Sequence, residues 1–367
     1  MRKKSIAIVP GSPAFENNEL FNKNNKYNFD DRLMPYFLLK RELSKNNIEI
    51  NTIDLVNDYS ELDLVFFQTL NYEYIYKCIK YDLENKLVYI AVEPPVVEIA
   101  NSKSNLKKIE DIFQCILTWR DDIVDGDKYL KYFFPQYFQE NPTFKGEFNQ
   151  KKLLVNISGA KLSKHPKELY SKRLEVINYF EKNHSEDFDF YGRGWDEYIR
   201  RNKYKNYKGE VKSKFKIYSK YKFALCFENM KHVKGYITEK IFDCFKARII
   251  PIYWGADNVT EYIPEGCFID YRQFIDVDEL YNYISNMSEK EYNNYIININ
   301  KYLYSKDICQ FTEENLINTF SYVIKKSEST DKSSINRINI KNKLKIMKNY
   351  YFKLLKKNLK GLLINND

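Results

Sequence analysis

The chain reads as α/β, with two Rossmann-like domains facing a cleft and a basic amphipathic helical tail. Three observations predict this. Apolar runs of strand length alternate with amphipathic stretches along most of the chain, the pattern of parallel α/β units. A polar connection, about Gln139 to Lys151, interrupts the alternation and then lets it restart, which suits two domains in 367 residues. Basic charge is concentrated at the end, where residues 325–367 hold 12 Lys+Arg and 3 Asp+Glu, while residues 1–324 hold 47 of each sign. The expected domains are 1–145 and 146–325, followed by a tail at 326–367.

The elements follow in order. Lys4 to Pro10 is a first strand. It mimics the start of a signal peptide, but its apolar run stops at Pro10, short of the ~7–15 residues such a segment needs. A polar loop from Asn17 to Asp31 leads to a helix over Leu33–Ser44, with Leu33, Tyr36, Phe37 and Leu43 inward. Ile48–Ile53 and Leu62–Phe67 are strands, Tyr74–Tyr81 is a helix, and Leu87–Val92 is a buried strand ending at Glu93-Pro94-Pro95. Phe113–Trp119 is the next strand, ending at Arg120. The second set has strands at Leu153–Ile157, Phe188–Tyr191, Phe223–Phe227 and Ile249–Trp254, a helix over Tyr170–Phe180, and a helix starting at Thr238. Leu280 to about Ile324 reads as helical.

Composition narrows the function. Gly and Pro are sparse and 44% of residues are hydrophobic, which fits packed cores. No apolar run approaches the ~20 residues of a membrane span. The six cysteines form no CxxC pair and lie mostly in apolar runs (Cys115, Cys226, Cys244, Cys267), as reduced thiols of a cytoplasmic protein do. The three histidines, His165, His184 and His232, are far apart, which argues against a His-based metal site. A body neutral in sum is no polyanion binder, so nucleic acid is not an expected partner.

Open α/β sheets bind ligands at the carboxyl ends of their strands. Glu93, Arg120, Ser158, Gly192, Glu228 and Gly255 all stand there. Thr238 suits a helix N-cap, and Glu239 suits its first turn. A helix N-terminus with Lys240 beside it is a natural phosphate or diphosphate site. The plainer alternative is a capped helix carrying a surface Glu-Lys pair.

The pieces Phe227-Glu228-Asn229, Tyr236-Ile237-Thr238-Glu239-Lys240, Pro251-Ile252-Tyr253-Trp254-Gly255 and Phe268-Ile269 occur in this order. Together they resemble the donor-binding segment of the α-1,3/4-fucosyltransferases, a family that uses GDP-fucose (glycosyltransferase family 10). The resemblance implies the two-domain GT-B architecture, with the acceptor on the first domain and the donor on the second. It implies inverting transfer of L-fucose to a glycan hydroxyl, O3 of GlcNAc or Glc, in bacterial surface polysaccharide or lipopolysaccharide synthesis. Glu93 ends a buried strand, and Pro94 and Pro95 fix the backbone after it. It matches the family's Glu-x-Pro base, and Glu98 is the fallback. Lys240, with the helix end beside it, is the first choice to stabilise the departing diphosphate, and Tyr170-Ser171-Lys172-Arg173-Leu174 resembles the family's helix whose Arg meets it, which makes Arg173 the second. Glu239 corresponds to the donor-holding Glu, and Asn229, Tyr236 and Thr238 to donor-site positions. Ser158, Gly192, Glu228 and Tyr253 are further donor-binding candidates.

Two Asp-x-Asp pairs, Asp187/Asp189 and Asp276/Asp278, raise a metal site. We expect metal-independent catalysis instead, with no cofactor besides the donor. The alternatives are the same fold with another GDP-sugar, or a non-catalytic nucleotide-sugar-binding membrane protein. In the tail, Ile340, Leu344, Met347, Tyr351, Leu354 and Leu355 form one helical stripe, with Lys341, Lys345, Lys348, Lys356 and Lys360 off it. That pattern predicts peripheral attachment to the inner-membrane surface through residues 335–364, beside an oligosaccharide or glycolipid acceptor. A helix packed on the body, or a disordered tail, is the alternative.

Overall fold

The computed structural model describes residues 2–138, 147–197, 204–329 and 338–364, with side chains of the last helix described to residue 356. The polar connection's residues 139–146 and tail residues 335–337 lie outside these. The chain forms two units, one of Met1–Asn25, Leu33–Tyr132 and Leu316–Asp367, the other of Lys26–Arg32 and Phe133–Asn315.

In the first unit the chain runs β1 (Lys4–Val9), α1 (Met34–Lys45), β2 (Ile48–Thr52), β3 (Leu64–Phe67), α2 (Tyr72–Lys80), β4 (Leu87–Ala91), α3 (Lys103–Ile109), β5 (Cys115–Thr118) and β6 (Tyr129–Lys131). These strands form one parallel sheet in the order β2-β1-β3-β4-β5-β6. Every residue of β3 and β4 is buried, as unbroken apolar runs require when both faces are covered. Side-chain caps start the helices: Asn71 accepts from the N–H groups of Glu73 and Tyr74, and Ser102 from that of Asn105. In α1, Leu38 and Leu39 are buried with Leu43, whereas Tyr36 and Phe37 are only half-buried. Tyr36 still packs against the core, and its hydroxyl bonds Gln68 and the buried Tyr132. Neither α3 nor the three-residue β6 carries a period long enough to read from sequence.

The second unit continues with β7 (Lys152–Ile157), α4 (Tyr170–Asn183), β8 (Phe188–Tyr191), α5 (Lys214–Tyr218), β9 (Tyr221–Phe227), α6 (Glu239–Lys246), β10 (Ile250–Trp254), β11 (Ile269–Asp270), α7 (Val277–Ser285) and α8 (Glu289–Leu303). Its sheet is also parallel, in the order β11-β10-β9-β7-β8. One apolar core lies along Leu154, Phe188, Phe223 and Ile252, and a second along Val155, Ala224, Ile241, Phe242 and Phe245. The strand order reverses between β7 and β9. That is the switch point where doubly wound sheets open a crevice.

The region from Leu280 to Ile324 is helical, as expected, and is divided among α7, α8 and α9 (Glu313–Ser329). Asp276 caps α7, and a capping box of Ser288 and Glu291 restarts the chain as α8. The unit boundaries also differ from 145 and 325. The chain lends Lys26–Arg32 to the second unit, and α9 packs under the first sheet through Leu316, Phe320, Val323 and Ile324. Amphipathic spacing shows that a helix has an inner face, not which sheet that face covers.

The last helix, α10 (Ile340–Ile364), packs on α2. Ile346 is buried, the Asn342 amide donates to Lys108 O and Asp111, Lys353 pairs with Glu73 at 2.8 Å, and Tyr76 stacks on Tyr350 at 4.1 Å. The stripe of Ile340, Leu344, Met347, Tyr351, Leu354 and Leu355 is at least 42% exposed at each position, although Tyr351 also reaches α2, its hydroxyl 3.3 Å from that of Tyr76. Among the described residues, no helix is long and apolar enough to cross a membrane.

Candidate active site

Beyond Phe227, at the end of β9, the chain places a carboxylate where the apolar strand stops. The Glu228 N–H donates to Trp254 O at 2.8 Å, which extends the ladder, and its side chain turns inward to 0% exposure. A buried carboxylate costs several kcal/mol unless it is paired and fully hydrogen-bonded. Glu228 meets both conditions. It accepts from the Thr238 N–H at 2.8 Å, from Thr238 Oγ1 at 2.8 and 3.0 Å, and from Lys240 Nζ at 3.0 Å. Lys240 also donates to Thr238 Oγ1 at 2.9 Å.

Thr238 does occupy the N-cap position of α6, but its hydroxyl does not cap the helix. It is committed to Glu228. The expected cap is thus a strut between strand and helix. Gly255 completes the packing, because a Cβ there would overlap the Glu228 side chain and the Tyr253 hydroxyl.

Arg173 enters from the first turn of α4 and is 6% exposed. It donates to the carbonyls of Phe227 and Glu228 at 2.6 Å each, and to Asn229 Oδ1 at 3.2 Å. All three acceptors are neutral oxygens, so its charge is oriented without being cancelled by a contacting carboxylate. Burial lowers the guanidinium from its ordinary value and Glu228 opposes that, but an arginine stays charged at neutral pH. For Lys240 burial also disfavours the charge, yet Glu228 and then Glu239 outweigh it and raise the ammonium. The half-exposed Glu239 is pushed up by burial and pulled down further by Lys240 and Lys214, to about 2. All three groups are therefore ionised at neutral pH.

Beside this network, Ser158, Gly159, Ala160, Lys161, Tyr170, Arg173, Leu174 and Trp195 line a shallow hollow. It opens at the β7 side of the switch point. Trp195 Nε1 donates to Ser158 O at 2.7 Å, and Gly192, at φ 139°, leaves room for that carbonyl where a Cβ would collide with it. The remaining candidates are placed differently. Tyr236 and Tyr253 are 2% and 1% exposed, and the Tyr253 hydroxyl bonds Tyr236 O and the Ala256 N–H, which braces the loop from behind. Lys161, Tyr170 and Trp195 were not singled out from sequence. The Gly192-Arg193-Gly194-Trp195 run after a strand was the available signal for Trp195.

In the first unit, Glu93 stands just past the end of β4 and is exposed. The Glu98 carboxylate accepts from the Ala100 N–H at 3.1 Å, and Arg120 forks onto Asp122 at 3.0 and 3.1 Å. Both Asp-x-Asp pairs have structural work. Asp189 pairs with Lys152 at 3.0 Å and accepts from Tyr221 OH, Asp187 accepts from Tyr281 OH, Asp276 caps α7, and Asp278 accepts from Tyr179 OH. Among the described residues no group of three His, Cys, Asp or Glu is arranged to hold a metal ion.

Residues 150–339, more than half of the chain, match the model of the C-terminal region of glycosyltransferase family 10 (fucosyltransferase). An alpha-(1,3)-fucosyltransferase of Helicobacter pylori is 43% identical over 74 residues, 20% of this chain and 15% of its own length. An alpha-(1,4)-fucosyltransferase of Arabidopsis thaliana is 38% identical over 71 residues, 19% of this chain and 18% of its own. The bovine 4-galactosyl-N-acetylglucosaminide 3-alpha-L-fucosyltransferase 9 is 29% identical over 183 residues, 49% of this chain and 45% of its own. The chain thus spans less than half the length of these curated relatives. A crystal structure of an alpha1,3-fucosyltransferase with GDP shares the fold, with a TM-score of 0.57, 18% identity and 92% of each chain covered.

Proposed function

The chain belongs to glycosyltransferase family 10, the fucosyltransferases, and from that premise we propose that it is an inverting transferase moving L-fucose from GDP-fucose to O3 of a GlcNAc or Glc residue. The observation that carries this reading is the Arg173–Glu228–Lys240 network at the switch point, inside the family-matched residues. Glycosyl transfer from a nucleotide needs a base for the acceptor hydroxyl and a counter-charge for the departing diphosphate. Glu93 takes the hydroxyl proton, and the acceptor oxygen attacks the anomeric carbon. The bond from that carbon to the β-phosphate oxygen breaks, and its electron pair leaves with GDP. Lys240, Arg173 and the amino end of α6 receive that charge. Glu239, Thr238, Asn229 and Ser158 border the donor. One displacement, with no protein nucleophile, inverts the anomeric centre.

With two side-chain cations and a helix end in place, no divalent ion is needed. Mass-spectrometric detection of product from GDP-fucose and a panel of oligosaccharide and glycolipid acceptors tests the reaction. Turnover should be the same in EDTA as in Mg²⁺. No transfer to any acceptor, or transfer only from another GDP-sugar, would refute the fucose reading. Loss of activity in EDTA would refute the metal-free one.

The exposed stripe of α10 favours a second element, attachment to an anionic membrane surface, consistent with a glycolipid or surface-polysaccharide acceptor made at the cytoplasmic face. Lys341, Lys348 and Lys356 flank that stripe in sequence, and each basic residue near an anionic leaflet contributes ~1 kcal/mol. Removing residues 338–367 should abolish sedimentation with phosphatidylserine-containing liposomes while the full chain still binds them. Equal binding by both would overturn the attachment.

A further inference from the structure

We propose that Asn101 and Trp119 are positioning residues for the Glu93 carboxylate, acting through its main chain. The inference rests on the reading of Glu93 as the base. Glu93 lies just past β4, on a turn rather than in a regular element, and its side chain is exposed. The direction of its Cα–Cβ bond depends on the two peptide planes that flank it. Each plane is held through its carbonyl. Val92 O accepts from Trp119 Nε1 at 3.1 Å, and Glu93 O accepts from Asn101 Nδ2 at 2.7 Å. Fixing both planes fixes φ and ψ of Glu93 together. The next carbonyl, Pro94 O, accepts from the N–H groups of Val97 and Glu98 at 2.8 and 2.9 Å, and the rings of Pro94 and Pro95 restrict φ beyond.

The two clamps are themselves held. Trp119 is 1% exposed and Asn101 2%, and the Asn101 Oδ1 accepts from the Tyr89 hydroxyl at 2.7 Å. Tyr89 is fully buried and its ring stacks on Phe113 at 5.2 Å. A chain of hydrogen bonds therefore runs from the core, through Tyr89 and Asn101, to the carbonyl of the base. Buried polar groups are costly unless every member is satisfied, and such a chain confers direction as well as energy. A base on a turn is held within catalytic tolerance only by such support, since a ~1 Å displacement can cost ~10²-fold in rate.

Asn101→Asp is the test. It still accepts from Tyr89 but loses the donor to Glu93 O and sets a carboxylate oxygen against that carbonyl. In the full chain, kcat should fall about 10- to 100-fold, with the donor KM and the calorimetric affinity for GDP unchanged. Placed on Glu93→Gln, the same change should cost no further residual rate, because no base is left to aim. Trp119→Phe should behave alike and stands in if Asn101→Asp does not fold. An equal loss in both backgrounds, or an unchanged kcat in the folded variant, would overturn the proposal. Wild-type activity in Glu93→Gln alone would instead overturn the base assignment.

Discussion

Glu93→Gln lowers kcat by about 10²- to 10⁴-fold, the range for removing a positioned general base, and leaves GDP binding intact. The substitution is isosteric. It keeps the main-chain carbonyl contact with Asn101. Stopped or single-turnover transfer, with isothermal titration of GDP, measures both quantities. A variant with wild-type kcat would remove Glu93 from the mechanism.

Lys240→Met has the second large effect, on stability and on donor binding together. It strands Glu228, whose side chain is 0% exposed, without its cation. Breaking a buried pair costs about 3–5 kcal/mol, and we expect the low end because Lys240 is itself 23% exposed. GDP affinity should fall about 10- to 100-fold, the worth of one charge-assisted contact. Adding Glu228→Gln removes the stranded charge while keeping an acceptor for Thr238. Most of the stability should return in the double variant, but none of the affinity. Recovery of both would mean that Lys240 supports the fold alone. The signs for pH follow from the same pair. Lys240 is raised, so its stabilisation is fully present below the ordinary lysine value and is lost only as pH rises through the higher one. Glu239 is depressed, so its contribution is present above the ordinary glutamate value and lost as pH falls towards about 2. Between these limits, denaturant stability should not respond to the ionisation of either group.

The parallel sheets were legible because their strands are unbroken apolar runs. Phe223–Phe227 and Leu87–Ala91 are buried on both faces, so composition alone marks them. What did not show in the sequence depended on partners distant along the chain. Tyr36 packs against the core as its spacing implied, but spacing could not show that its hydroxyl bonds Gln68 and Tyr132. Thr238 has the residue type of a cap and sits at the cap position, but a buried carboxylate ten residues earlier claims its hydroxyl. The tail's apolar stripe was legible as a stripe. That the opposite side would dock on the body was not, because Asn342 is polar and finds its partners, Lys108 O and Asp111, far away along the chain. Asn101 carried no signal at all, since an asparagine after a turn has many ordinary uses.

The position of α9 constrains how the protein is made. Phe320 stacks on Phe66 at 4.2 Å, and Leu316, Val323 and Ile324 close the same core around Ile6, Ile8, Val88 and Leu117. Every strand of the first sheet is synthesised before residue 132, but the helix that seals one face arrives only after about the whole second unit has been translated. At ~5–20 residues per second, that face waits ~10–40 s on the ribosome with its apolar surface uncovered. The amino-terminal unit, normally the first to finish in vectorial folding, is here the last. A nascent chain stalled before Leu316 should consequently be a chaperone client, and the isolated segment 1–132 an aggregating one.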